Sequence, residues 1–135
     1  MLRYDVPIPN LSLGFMDDDH KEELALIEAA AAALAAGDAE ALRAGLAALA
    51  VHTRAHFQRE EEVMRAVRFP AYPVHKAEHD RVLAELAAEA TAYADTRDAA
   101  RLLGYLDAVV ASWFPTHMAT MDTITARFAA AAGQW

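Results

Sequence analysis

Three interruptions decide what this chain can fold into. Gly37–Asp38, the stretch RFPAYP (68–73) and the run ADTRD (94–98) each break an otherwise helical pattern of apolar residues. Two prolines three apart cannot sit inside one regular helix, and Asp38 is a good N-cap. The breaks leave four segments, at about 17–36, 38–67, 73–94 and on to about Ala131. Each repeats its apolar residues at the helical period, as in Leu42, Leu46, Leu49, Thr53 and His56 of the second. Glycine and proline number only five each, which leaves long segments uninterrupted. Short connections make neighbouring helices antiparallel, so the expected fold is all-α, an up-down-up-down four-helix bundle. Pro7 and Pro9 make an extended N-terminal arm of residues 1–13, with the bundle over 14–135. The 135 residues, 56% of them hydrophobic, suit one domain with a real core.

The formal net charge of −8 repels phosphate backbones and anionic lipid, so neither nucleic acid nor a membrane is an expected partner. No run is long and apolar enough to span a bilayer. MLRYDVPIPN lacks the apolar core of a signal peptide, so a cytoplasmic location is expected. With no cysteine, disulfides, thiolate metal sites and cysteine nucleophiles are excluded.

Polar residues on the core stripes are the anomaly. At least five of the six histidines lie there. If the first helix runs upward, His20 lies near the bottom of the bundle. So do His56 and Glu60 near the end of the descending second helix, and His75 and His79 at the start of the ascending third. His117 and Asp122 fall in the later half of the descending fourth. Residues four apart differ by about 40° on a helix, so His56/Glu60 and His75/His79 each aim two groups at one point. Unpaired, each would cost several kcal/mol to bury, and a cation is the simplest compensation. Nitrogen and carboxylate oxygen without thiolate suit iron, manganese or zinc.

HKAEH (75–79) also fits H-x-x-E-H, the inverted zinc-peptidase signature. That reading needs Glu78 as general base in a substrate cleft, and a tight bundle offers none. Glu78 lies about 60° from His75 on the helical wheel, toward Lys76, as on a solvated face. Ferritin-like di-iron sites need two Glu-x-x-His pairs, and the chain has none.

Taken in order, Asp17–His20, HFQREE (56–61), HKAEH (75–79) and WFPTHMATMD (113–122) resemble the ordered motifs of the bacterial hemerythrins, dioxygen-binding proteins with a non-haem di-iron centre. The resemblance spans nearly the whole chain. It implies that His75, His79 and His117 bind one iron, and that His20 and His56 bind the other. Glu60 and Asp122 would bridge the two, with a solvent-derived oxo or hydroxo group. Six positions are then filled on the first iron and five on the second, leaving one open for dioxygen. The implied function is reversible dioxygen binding for storage, delivery or sensing, without enzymatic turnover, in a monomer whose partners are dioxygen and an oxygen-consuming enzyme. The alternatives are a di-iron enzyme reducing peroxide or nitric oxide, and an iron store.

Four further expectations follow. A dry pocket would be walled by Phe57 and Trp113, with Met64 and Met121 as further candidates. Asp122 follows His117 by five residues, about 140° on a regular helix, so a kink or π-type irregularity is expected between Ser112 and Asp122, with Pro115 a local cause. His52, one turn before His56, reads as a partly exposed histidine. Asp19 reads as an acidic residue favourable in a first helical turn.

Overall fold

The computed structural model describes Tyr4, Ile8, Leu11 and residues 14–133. Among these the chain is helical, with no strand. The first helix is Gly14–Ala36, the second Ala39–Ala66 and the third Tyr72–Thr96. The fourth is a continuous helical run over 99–131 with two wide turns in it. It is α-helical over Ala99–Ala108, Phe114–His117 and Thr123–Ala131, and π-helical over Val109–Trp113 and Met118–Asp122.

The breaks read from the sequence are the breaks that form. Gly37 takes a left-handed φ of 70° that other residues resist, and the Asp38 N–H closes back on the Ala33 carbonyl at 3.0 Å. Asp38 then caps the second helix, accepting the Ala41 N–H at 3.0 Å. Asp98 caps the fourth in the same way through Arg101. Pro73 sits in the first turn of the third helix, where its missing N–H costs nothing. The first helix begins at Gly14, three residues before the expected start at Asp17.

The first helix packs on the second, the second on the third, the third on the fourth, and the fourth returns to the first. One half of the interior is apolar, built from Ile27, Ala30, Ala31, Leu42, Leu49, Leu86, Leu102, Leu106 and Val110. Burying each large aliphatic there stabilises the fold by about 1.5–3 kcal/mol before the entropy of ordering is subtracted. The other half holds buried histidines and carboxylates. Most of the expected arm over 1–13 lies outside the described residues. Tyr4 is described: it is buried, its N–H donates to Glu28 at 2.8 Å, and its hydroxyl donates to Asp107 at 2.9 Å. It thereby ties the first helix to the fourth at the apolar end. No helix among the described residues is long and apolar enough to cross a membrane.

Candidate metal centre

The fourth helix solves the spacing problem of Asp122 by widening its turn. A π turn bonds i to i+5, so five residues make roughly one turn. The Phe114 N–H bonds to the Val109 carbonyl and the Thr123 N–H to that of Met118. The irregularity expected between Ser112 and Asp122 is present, and it begins slightly earlier, at Val109. Pro115, which has no N–H to give, lies between the two wide turns. Thr120 and Thr123 return their hydroxyls to the Thr116 and Met118 carbonyls, each at 2.7 Å. Such back-bonding loosens a helical ladder. His117 and Asp122 consequently face the same point.

The structure brings all seven residues, His20, His56, Glu60, His75, His79, His117 and Asp122, into one cluster, each no more than 5% exposed. The donor atoms form two groups, one of Glu60, His75, His79, His117 and Asp122, the other of His20, His56 and Glu60. The carboxylates join them by dividing their oxygens. Glu60 Oε2 lies 2.8 Å from His56 Nε2, and its Oε1 lies 3.2 Å from His79 Nε2. Asp122 Oδ2 lies 2.9 Å from His20 Nε2, and its Oδ1 lies 3.2 Å from both His75 and His117 Nε2.

Three of the five histidines are turned by a hydrogen bond at the far side of the ring. His56 Nδ1 donates to Asp19 at 3.0 Å, His75 Nδ1 to Thr125 at 3.0 Å and His79 Nδ1 to Glu61 at 2.8 Å. Each fixes the tautomer, leaving a lone pair on Nε2 that points at the cluster. Lone pairs of nitrogen and carboxylate oxygen then meet at about 3 Å, which repels unless something positive lies between. Both Glu60 oxygens, Asp122 Oδ1 and His79 Nε2 are buried without an aligned hydrogen-bond partner among the described residues. Nitrogen and oxygen donors each about 2.1 Å from one cation, at right angles, stand about 3 Å apart. The residues therefore fit a pair of cations, and the donor chemistry suits iron.

Without metal, protons must do that work. Burial and the Asp122 charge push Glu60 upward, but His56 and His79 outweigh them and hold its carboxyl at about 2. Burial likewise opposes ionisation of Asp122, yet His117, His20 and His75 hold it well below the usual range. Burial lowers His56 and His117, but the facing carboxylates overcome it and raise both. The sign of the pH dependence follows. Imidazoles raised above their ordinary 6.5 contribute stability that is whole below 6.5 and lost as pH rises through their folded values. The depressed carboxylates contribute stability that is present above their ordinary 3.8 and 4.5 and lost as pH falls through their folded values. Metal-free protein should melt at a higher temperature at about pH 5.5 than at about pH 8, and bound metal, which displaces those protons, should reverse that order. Calorimetry with and without chelator reads it. Metal-free protein that is more stable at the higher pH contradicts the argument.

The surroundings correct two expectations, for Asp19 and Glu78, and give the partly exposed His52 its partners. Asp19 is no simple first-turn acid: it accepts from His56 and, twice, from Arg59 at 2.8 and 2.7 Å. Burial would raise it, but His56 and Arg59 together hold it below its ordinary value. His52 is only 14% exposed, with Nε2 3.1 Å from the Asp19 carbonyl oxygen and 3.4 Å from Glu23. Its ring stacks parallel to that of His56, and it joins neither donor group. Glu78 is not on a free solvated face: it accepts the Trp113 indole N–H at 2.7 Å. The Arg81 guanidinium, opposed by burial and helped by Trp113, holds the Glu78 carboxyl at about 2.

Of the expected pocket walls, Phe57 lies flat on His79, centroids 3.8 Å apart, and 5.6 Å from His56. Trp113 stacks on His117 at 4.5 Å, on the three-histidine side. Met64 is fully buried, and Met121 lines a small apolar cavity with Phe69, Val74, Ile124 and His75. Phe114, which sequence reasoning did not single out, meets His20 edge-on at 5.8 Å on the two-histidine side.

The profile of the hemerythrin HHE cation binding domain matches residues 12–129 of this chain. The chain is also 32% identical, over 113 residues, to a bacteriohemerythrin of Aquifex aeolicus (strain VF5), covering 84% of this chain and 86% of that one. No solved structure matches it significantly.

Proposed function

The chain belongs to the hemerythrin family, and on that premise we propose that it binds dioxygen reversibly at a carboxylate-bridged di-iron centre. The observation that carries the proposal is the division of two buried carboxylates between unequal sets of histidines. Glu60 and Asp122 each turn one oxygen toward His75, His79 and His117 and the other toward His20 and His56. We assign the first set to one iron and the second set to the other. This reading takes the four helices as an up-down-up-down bundle behind an extended N-terminal arm, since the connections are too short for crossovers.

When bound, the iron pair supplies electrons to dioxygen and recovers them on release. The residues of this chain do the rest. Five imidazoles and two shared carboxylates would give the two-histidine side one donor fewer than the other, and dioxygen would bind on that side. Phe57 and Phe114 stand against the histidines of that side and keep water from it. Asp19 holds His56 in the tautomer that can ligate, and Thr125 and Glu61 do the same for His75 and His79. The donor atoms are sealed, so no polymer could reach them.

Iron-loaded, reduced protein under anaerobic conditions should develop absorption bands when air is admitted, and the bands should vanish when oxygen is swept away. One dioxygen should be taken up per two irons. Bands that never return to the reduced state, or steady oxygen or peroxide consumption with added reductant, would move the reading to a di-iron enzyme. Iron uptake with no response to oxygen would leave an iron store.

A further inference from the structure

Three of the five clustered histidines are turned by a hydrogen bond at the ring's far side, whereas His20 and His117 meet Asp122 directly through Nε2, at 2.9 and 3.2 Å. The His117 ring has one further restraint. What fixes the ring is a flat contact: the Trp113 indole stacks on it at 4.5 Å, with 19° between the planes. The indole in turn is tethered, since its N–H donates to Glu78 at 2.7 Å. Glu78 is braced by Arg81, whose Nη2 lies 2.6 Å from Oε1 and whose Nε lies 3.1 Å from Oε2. Arg81 itself reaches Glu85 at 2.7 Å. The acid of the H-x-x-E-H pattern thus faces away from the cluster and toward the fourth helix.

We infer that Glu78 is a positioning residue: through Trp113 it holds His117 in ligating orientation, replacing the hydrogen bond that orients His56, His75 and His79. The inference rests on the metal reading above for its purpose, though not for its geometry. A π turn ends at Trp113, so the local backbone is wide and the indole is not fixed by a regular ladder. A stacked ring restrains tilt but not sliding, and the tether at the indole nitrogen supplies the missing restraint.

The test uses the full chain with Trp135→Phe, so that Trp113 is the sole tryptophan. In metal-free protein, stacking on imidazole quenches indole emission. Glu78→Ala should raise the emission and shift it to the red, while Glu78→Gln, whose amide oxygen still accepts the N–H, should stay near wild type. In iron-loaded protein, Glu78→Ala should speed loss of iron to a chelator by roughly tenfold, the lower end for an outer partner of a metal ligand. Trp113→Phe should do the same, and the double variant should be no worse than either alone. Glu78→Gln behaving like Glu78→Ala would overturn the inference, because the role would then be the ion pair with Arg81. So would iron release that Glu78→Ala leaves unchanged. Wild-type protein that takes up no iron would overturn the metal reading itself, and Glu78 would have nothing to position.

Discussion

Glu60→Ala should take up neither of two metal ions, Glu61→Ala should hold the ion of the three-histidine group more weakly and leave the other unchanged, and Glu62→Ala should be unaffected. Three consecutive glutamates thus give three outcomes, read by counting metal per chain after titration and desalting. Glu60 is fully buried and gives one oxygen to each donor group, so its loss strips a ligand from both at once. Two cations left close together would also lose half of the shared negative charge that screens them. Glu61 offers no donor atom itself but accepts from His79 Nδ1, in the three-histidine group alone, and removing such a partner costs about 10–100-fold in affinity for that group's ion. Glu62 is exposed. In metal-free protein Glu60→Ala should also cost stability, by about 3–5 kcal/mol, because facing imidazoles lose the carboxylate that compensates their burial. Retention of two tightly held ions in Glu60→Ala contradicts the bridging role.

Asp19→Ala separates the two ions. Asp19 touches only the two-histidine side, where it accepts from His56 Nδ1 and braces itself on Arg59. Without it the His56 ring can rotate or take the other tautomer. The second ion should therefore weaken by about 10–100-fold while the first is unchanged. A titration would then turn from one step of two ions into two separate steps. Asp19→Asn keeps an acceptor for His56 and should fall between. Equal weakening of both ions would mean that the two donor groups are not independent in the way the distances suggest.

The sequence carried the helices and their breaks because those are local. Gly37, Asp38, Pro73 and Asp98 act on the backbone within a few residues of themselves, and each ends or starts a helix where its chemistry demands. It also carried the membership of the cluster, since seven polar residues on apolar stripes at one end of a bundle have few other places to go. The irregular fourth helix was legible as a contradiction: His117 and Asp122 could share a target only if the ladder widened. A second wide turn at Val109–Trp113 was not, because no pair of residues there is spaced as His117 and Asp122 are.

Outer partners were the illegible part. Asp19, Glu61, Thr125 and Glu78 reach across helix interfaces to His56, His79, His75 and Trp113, and nothing in their own neighbourhoods announces it. Asp19 looked like a first-turn acid and Glu78 like surface, because helical periodicity places a residue on a face but says nothing of what stands opposite. The one available signal was the clustered histidines themselves: a buried imidazole that presents Nε2 to the cluster leaves Nδ1 to be satisfied elsewhere. Phe114 escaped for another reason. It lies three residues before His117 on the same side of the helix and reads as an ordinary core residue, and its contact with His20 lies across a helix interface.

A Mössbauer spectrum of the reduced protein loaded with iron-57, recorded before and after oxygen, tests the central claim most directly. The reduced protein should show two ferrous environments of equal area, one for each histidine set. On oxygenation both should change, remain unequal and equal in area, and return when oxygen is removed. A single iron environment, or one iron per chain, would contradict the shared-carboxylate centre on which the whole reading stands.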